Sequence, residues 1–118
     1  MSATGQGTEI EIDPSQVADW VARNTGLQLI DVRENYEWEA GRIEGARHLE
    51  LNELSAQAST VEPGRPAVFY CRVGVRSEMA AQAFRASGFD AYTMRGGLVR
   101  WAEEGRPLSP ADGHVADQ

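Results

Sequence analysis

The sequence predicts one α/β domain with a mainly parallel central sheet and helices on both faces of that sheet. Three observations support this fold class. The chain has 118 residues, a length typical of a single domain. Runs of strand length alternate along it with segments whose apolar residues recur at helical spacing. The run Leu27–Val32 is mostly apolar, as in strands that a parallel sheet buries on both faces.

The chain begins with a polar stretch, Met1–Thr8, which we expect to be a flexible leader. Glu9–Ile12 alternates polar and apolar residues, a pattern typical of a short strand. A helix is predicted to start at Asp13 and Pro14, because aspartate caps helix N-termini and proline at the first helical position loses no hydrogen bond. Gly26 ends this helix.

The middle of the chain contains shorter elements. Asn35–Ala40 predicts a short helix, and Ala46–Leu51 predicts an extended segment. A further helix is expected around Asn52–Ala58. Ser59–Pro66 is predicted to be a loop, because its prolines and glycine interrupt regular structure.

The second half of the chain repeats the alternation of strands and helices. Ala67–Tyr70 is apolar, partly β-branched and aromatic, and it predicts a strand that ends at Cys71. A helix follows from about residue 76 to Ser87. Ala91–Met94 predicts the next strand, and Leu98–Glu104 predicts a final short helix.

The composition bounds the domain organisation and the function. We assign residues 9–108 to one domain and expect residues 109–118 to be a flexible C-terminal tail. The net charge of -7 argues against nucleic acid or an anionic membrane surface as a partner. No apolar run approaches the roughly 20 residues that cross a bilayer, and the start lacks the features of a secretory signal. We therefore expect a cytoplasmic protein.

Cys71 is the one cysteine of the chain, which excludes an internal disulfide and a metal site built from several cysteines. We expect neither a metal nor a cofactor. A lone cysteine is ordinarily a small buried hydrophobe. Cys71, however, follows the end of a predicted strand, where ligands collect in parallel sheets. This position favours a functional role.

The segment after Cys71 has the composition of an anion-binding loop. It joins a strand to a helix N-terminus, so successive backbone N–H groups and the helix dipole point at one place. Glycine permits the backbone angles of such a loop, and arginines supply positive charge that favours a thiolate. Cys71 is the predicted catalytic residue. The predicted substrate-binding residues are the five that follow it: Arg72, Val73, Gly74, Val75 and Arg76.

A thiolate in such a loop predicts covalent catalysis in two halves. The sulfur attacks the outer sulfur of a donor and becomes a persulfide, and an acceptor then removes that outer sulfur. This chemistry needs no general base, because the nucleophile is already ionised. The sequence is consistent with that, since neither His48 nor His114 lies in the loop.

Four motifs follow one another along the chain: Asp31–Glu34, Gly41–Ala46, Cys71–Ser77, and Gly96–Gly97 followed by Trp101. With them the chain resembles the single-domain rhodaneses over roughly residues 10–107. In the same order, the motifs are similar to the family's Asp-Val-Arg motif, its Gly-His-Ile-Pro-Gly-Ala segment, its active-site loop and its C-terminal signature. Arg42 replaces the common histidine and Glu44 the common proline, and Val75 stands where many members carry a polar residue.

The resemblance implies a rhodanese-type sulfurtransferase. Such an enzyme moves sulfane sulfur from thiosulfate or a persulfide donor to cyanide, a thiol or a sulfur carrier. Its partners would be small sulfur donors and acceptors or a persulfide-carrying protein. The alternative is a non-catalytic or regulatory rhodanese-like binding module, although inactive relatives often lack the cysteine. Phosphatases of a related kind place one residue more than this chain does between the cysteine and the loop arginine, which leaves room for a phosphate.

Residues outside the loop have supporting roles in this interpretation. Asp31 either positions the loop by accepting hydrogen bonds at the strand ends or caps the following turn. The resemblance implies a structural role for Arg33, and Ser77 is expected to support the loop. The acidic residues of the middle segment are interpreted as a solvated surface: Glu37, Glu39, Glu50 and Glu53.

Overall fold

The computed structural model describes residues 9–23 and 25–117, and their sheet is parallel with helices on both faces, as predicted. The leader predicted for residues 1–8 lies outside the described residues. In chain order the strands are β1 (Glu11–Ile12), β2 (Gln28–Asp31), β3 (Arg47–His48), β4 (Ala67–Tyr70) and β5 (Ala91–Met94). They lie side by side in the order β1-β5-β4-β2-β3, and every neighbouring pair is parallel.

The helices connect these strands as the alternation predicts. Their bounds are α1 (Pro14–Ala22), α2 (Asn35–Ala40), α3 (Leu54–Gln57), α4 (Val75–Ala86) and α5 (Gly97–Glu103). The segment predicted as one helix around residues 52–58 is broken, since 3-10 turns stand on both sides of α3. At its end the Thr60 hydroxyl donates to the carbonyl of Gln57 at 2.6 Å, a local bond that competes with the helical pattern.

Strand β4 is the centre of the core, and all four of its residues are buried. Side chains alternate between the faces of a strand, and the two faces of β4 meet different helices. Val68 and Tyr70 pack with α1 and α5, through residues such as Val17 and Leu98. Phe69 packs with α3 and α4, and Cys71 continues that face. The cysteine therefore lies at the inner side of α4.

Residues after Ser109 pass across the end of α2. The backbones of Arg42 and Ser109 exchange two hydrogen bonds, with N–O distances of 3.0 and 2.7 Å. Further along, the amide of His114 donates to the carbonyl of Ala40 at 2.9 Å. This segment is the one expected to be a flexible tail, and its flexibility stays a prediction.

Candidate active site

Cys71 lies at the carboxyl end of β4 with 1% of its surface exposed. Its sulfur accepts a hydrogen bond from the backbone amide of Gly74 at 3.1 Å. Gly74 has a φ of 108°, which is the glycine conformation that the sequence predicts for this loop. Helix α4 begins at the next residue, Val75, so its N-terminus lies beside the sulfur. Amide donation and the helix dipole both favour negative charge on that atom.

A row of buried hydroxyl groups continues inward from the sulfur. The Oγ of Ser77 lies 3.5 Å from the Cys71 sulfur and 2.7 Å from the Oγ1 of Thr93 on β5. Ser77 and Thr93 are 0% and 1% exposed. The sequence interpretation missed Thr93. The sequence does contain a clue to Thr93, which is a hydroxyl residue inside a predicted buried strand. Such a hydroxyl must find a hydrogen-bond partner, because burying a polar group without one is costly.

The N-terminus of α5 binds the backbone of the cysteine loop. The amide of Leu98 donates to the carbonyl of Cys71 at 2.8 Å, and the amide of Val99 donates to the carbonyl of Arg72 at 3.0 Å. With its carbonyls turned toward α5, the loop is free to turn amides toward the sulfur. The Gly96–Gly97 motif stands at this contact.

Arg76 forms a double hydrogen bond with Glu37 of α2. Its two terminal nitrogens donate to the two carboxylate oxygens at 2.8 and 3.0 Å. The carboxylate raises the pKa of Arg76. Burial alone raises the pKa of Glu37, but the hydrogen bond from Arg76 and the bond from the Glu34 amide bring it below its ordinary value.

The prediction that Glu37 belongs to a solvated acidic surface is wrong. Its side chain is 0% exposed. The reason is its position on α2, which starts just after the carboxyl end of β2 and lies against the cysteine loop. Glu37 thus pairs with the positive charge of Arg76, whereas the sequence interpretation expects that charge to stabilise the Cys71 sulfur.

The other loop arginine, Arg72, turns toward the segment after Ser109. Its Nε donates to the carbonyl of Ala116 at 3.1 Å, and its Nη2 lies 3.5 Å from the Asp117 carboxylate. Between the two arginines, Val73 and Val75 are 48% and 65% exposed. The loop therefore presents apolar side chains outward.

A cavity of about 430 Å³ opens beside Arg76. Glu34 and Glu50 contribute carboxylates to its lining, and Leu51 contributes an apolar wall. Among residues 9–23 and 25–117, no group of three or more His, Cys, Asp or Glu side chains is arranged to hold a metal ion. None of the helices in that part of the chain is long and apolar enough to cross a membrane.

The family model for the rhodanese-like domain matches residues 13–104 of the chain. This chain belongs to the rhodanese-like family. The resemblance stated from the four motifs is confirmed, and so is the fold class that it implies.

Relatives of this rhodanese-like chain have names that refer to sulfur transfer. It is 36% identical over 99 residues to the probable adenylyltransferase/sulfurtransferase MoeZ of Mycobacterium tuberculosis, a match that covers 81% of this chain and 25% of that protein. The chain thus spans about a quarter of that relative's length. It is 32% identical over 102 residues to the thiosulfate sulfurtransferase GlpE of Pseudomonas aeruginosa, covering 86% and 87% of the two chains. Both relatives thus carry names of sulfurtransferases, and both are matched by the part of this chain that belongs to the rhodanese-like family.

A solved structure shows the same fold. The crystal structure of a rhodanese-related protein from Thermoplasma volcanium superposes with a TM-score of 0.77 at 24% sequence identity. The match covers 83% of this chain and 95% of the other.

The rhodanese Asp-Val-Arg motif forms a buried ion pair in this chain. Asp31 and Arg33 are both 0% exposed, and a terminal nitrogen of Arg33 lies 2.7 Å from the Asp31 carboxylate. The same carboxylate accepts the backbone amide of Arg33 at 3.0 Å, so Asp31 binds an arginine and caps a turn at once. Arg33 also donates to the carbonyl of Gly41 at 2.7 Å. The pair joins the end of β2 to the segment after α2, and its support of the cysteine loop stays a prediction.

Arg42, a departure from the rhodanese pattern, has local structural contacts. Its guanidinium lies 4.8 Å from the centre of the Trp38 ring and donates to the Trp38 carbonyl at 3.0 Å. The neighbouring Ile43 amide donates to the Tyr70 hydroxyl at 3.1 Å. Burial raises the pKa of Tyr70 well above its ordinary value, so this hydroxyl stays neutral. Nothing in the structure explains Glu44 in place of the common proline.

Proposed function

We propose that the protein transfers sulfane sulfur through a persulfide on Cys71, within a catalytic domain over residues 9–108. The observation that carries this proposal is the hydrogen bond from the Gly74 amide to the Cys71 sulfur, at the N-terminus of α4. A neutral buried cysteine needs no such donor, whereas a sulfur anion is stabilised by it. The family membership of the chain agrees with this chemistry.

The loading step uses a sulfane donor such as thiosulfate. The Cys71 thiolate attacks the outer sulfur of thiosulfate and forms a new S–S bond. The S–S bond inside thiosulfate breaks, and sulfite leaves with its electron pair. One negative charge stays on the outer sulfur of the Cys71 persulfide, so charge is conserved across the step.

The unloading step returns the enzyme to its starting state. An acceptor nucleophile, such as cyanide or a thiolate, attacks the outer sulfur of the persulfide. The S–S bond breaks, and its electron pair returns to Cys71 as a thiolate. Cyanide leaves as thiocyanate, and a thiolate leaves as a new persulfide. No proton is transferred, which agrees with a loop that holds no histidine.

Each loop residue has a separate role in this proposal. Gly74 supplies the amide that holds the sulfur anion, and Ser77 supplies a hydroxyl from the buried side. Arg76, held by the buried Glu37, lines the cavity beside the loop. Val73 and Val75 contact the donor or acceptor with apolar surface. Arg72, held by Ala116 and Asp117, fixes the outer part of the loop.

The proposal is tested by incubating the protein with thiosulfate and measuring its mass. We expect the mass to increase by one sulfur atom at Cys71 and to return to the original value when cyanide is added, with thiocyanate as the product. Cys71→Ser is expected to show neither change. Val21→Ser, a substitution of an exposed residue on α1, serves as the control and is expected to load normally.

The alternative of a binding module without chemistry makes the opposite prediction. Cys71 would then gain no sulfur from thiosulfate and would react with iodoacetamide no faster than a free cysteine. An unmodified protein under both treatments would reject the sulfurtransferase proposal and favour the binding module.

A further inference from the structure

The exposed apolar side chains of the described residues are concentrated at the cysteine loop. Val73 and Val75 flank Gly74, whose amide binds the sulfur, and Met79 lies one helical turn beyond Val75 on α4. Their exposures are 48%, 65% and 59%. Small inorganic ions such as thiosulfate and cyanide gain little from apolar contacts of this size. The surface that these three side chains form, called the entrance below, therefore suits a larger ligand with apolar side chains.

A groove continues this apolar surface away from the loop. It has a volume of about 480 Å³ and lies between α3 and α4, with Met79 at one part of its wall and Phe84 and Phe89 at another. None of the residues that line it is charged. Leu51 lines both this groove and the cavity beside Arg76. The α3–α4 groove thus adjoins the cavity beside Arg76, the arginine that follows the cysteine loop.

The charges around the entrance are negative. Glu34 and Glu50 line the cavity beside Arg76, where each brings a negatively charged side chain. Arg76 is neutralised by Glu37, and Arg72 by Asp117. The net charge of the whole chain, -7, has the same sign. An approaching partner is therefore favoured when it carries positive charge.

We propose that the site exchanges sulfur with another protein, whose cysteine lies in a short segment that carries apolar side chains and adjacent lysines or arginines. The apolar side chains occupy the α3–α4 groove, the basic ones face Glu34 and Glu50, and the cysteine reaches Cys71. This inference rests on the proposed function and names the class of partner for it. In the exchange, the partner thiolate attacks the outer sulfur of the Cys71 persulfide, the S–S bond breaks, and Cys71 regains its thiolate.

The test compares two synthetic peptides as sulfur acceptors. Each carries one cysteine beside leucine and methionine; one peptide has arginines at its ends and the other has glutamates. At low ionic strength we expect the arginine peptide to accept sulfur from loaded Cys71 about tenfold faster. This difference is expected to shrink as salt is added, because screening weakens interactions between exposed charges.

Variants then locate the docking surface. Met79→Ser is expected to slow transfer to the arginine peptide about tenfold, because an apolar contact is lost, and to leave thiocyanate formation from cyanide unchanged. The matched control is Val21→Ser, which removes an exposed apolar side chain from α1 on the other side of the sheet. Glu34→Gln with Glu50→Gln is expected to reduce the preference between the two peptides.

A binding measurement separates this inference from the proposed function. The same two peptides with serine in place of cysteine are titrated into the protein, and amide shifts along α4 are followed by NMR. Tighter binding of the arginine peptide with shifts along α4 supports the groove. Equal binding, or equal transfer rates while cyanide still forms thiocyanate, overturns the inference alone. Failure of both cyanide and peptides to receive sulfur overturns the proposed function and this inference with it.

Discussion

At the scale of single residues, the contact between Ser77 and Thr93 limits the directions of the hydrogen bonds below the cysteine sulfur. A hydroxyl group has one proton to donate. If the Ser77 hydroxyl donates to a sulfur anion, its contact with Thr93 at 2.7 Å requires Thr93 to be the donor there. In that arrangement Thr93 orients the Ser77 proton toward Cys71.

Thr93→Val is expected to slow persulfide formation at Cys71, because Ser77 loses the donor that orients its proton. The contact between Ser77 and the sulfur is long, at 3.5 Å. A reduction of about two- to tenfold in the loading rate is therefore expected, in line with the modest worth of one hydrogen bond. The rate is measured by mass spectrometry after mixing with thiosulfate.

Thr93→Ser is the matched control, since it keeps the hydroxyl group and removes a methyl group. We expect it to load at close to the rate of the unchanged protein. Loading by Thr93→Val at the full rate would contradict the positioning role, and so would equal losses in both variants.

Glu37 is the second residue whose effect reaches beyond its own contacts. Its Arg76 partner is 21% exposed while Glu37 is fully buried, so removing the carboxylate charge leaves a partly buried arginine unpaired. Glu37→Gln is expected to lower the free energy of unfolding by about 1–3 kcal/mol near neutral pH. Urea denaturation followed by circular dichroism measures this change.

The loss caused by Glu37→Gln is expected to depend on pH. The pKa of Glu37 in the folded protein lies below its ordinary value of 4.5, so its ion pair contributes stability above that pH. The contribution disappears as the pH falls through the folded pKa. The difference in unfolding free energy between the two proteins should therefore shrink in acid, and a constant difference would rule out the ion pair as its source.

At the scale of elements, the contact between the cysteine loop and α5 requires glycine at one position. Gly97 has a φ of 62°, and a β-carbon there would lie 2.4 Å from the carbonyl oxygen of Arg72. A side chain would separate the N-terminus of α5 from the loop whose carbonyls it binds. We expect the position of the Gly74 amide at the sulfur to depend on that contact.

Gly97→Ala is expected to reduce both the unfolding free energy and the rate of sulfur loading. Gly105→Ala is the matched control, because Gly105 also has a positive φ, 78°, but has open space around its α-carbon. The control should lose about 1–2 kcal/mol from backbone strain and keep its loading rate. Similar losses of both quantities in the two variants would argue against a role for the α5 contact in shaping the loop.

At the scale of the whole molecule, the net charge of -7 opposes anionic donors. The arginines nearest the cysteine do not offset this repulsion, because Arg76 and Arg72 are each bound by a carboxylate. Long-range repulsion lowers the encounter rate of a dianion, and salt screens that repulsion. The net charge of the protein therefore makes anionic sulfur donors react more slowly than neutral ones of equal reactivity.

The specificity constant kcat/KM for thiosulfate is expected to rise with ionic strength. Raising the salt concentration from about 0.01 M to about 0.1 M shortens the screening length from about 30 Å to about 10 Å. A neutral organic trisulfide serves as the control donor, and its constant should stay level over the same range. A thiosulfate constant that falls with salt would show that local positive charge dominates the entrance.

Much of the fold was predictable from short stretches of sequence. The strands at Ala67–Tyr70 and Ala91–Met94 and the helix at Asn35–Ala40 have the predicted bounds, because their patterns are local and strong. The segment around Asn52–Ala58 was the poorest prediction, since side-chain bonds such as that of Thr60 compete with a weak helical pattern.

The sequence by itself determined the alternation of strands and helices, and it placed Cys71 between a buried strand and a helix with glycine in between. Only the tertiary structure decided which groups meet there. Arg76 binds a carboxylate 39 positions away, Ser77 a hydroxyl 16 positions away, and Arg72 a carbonyl 44 positions away. No local pattern encodes such contacts, because they arise when the ends of parallel strands come together at one edge of the sheet. Those contacts determine the net charge at the entrance. The sequence of the loop alone does not predict that charge, because it does not show which carboxylates pair with the arginines.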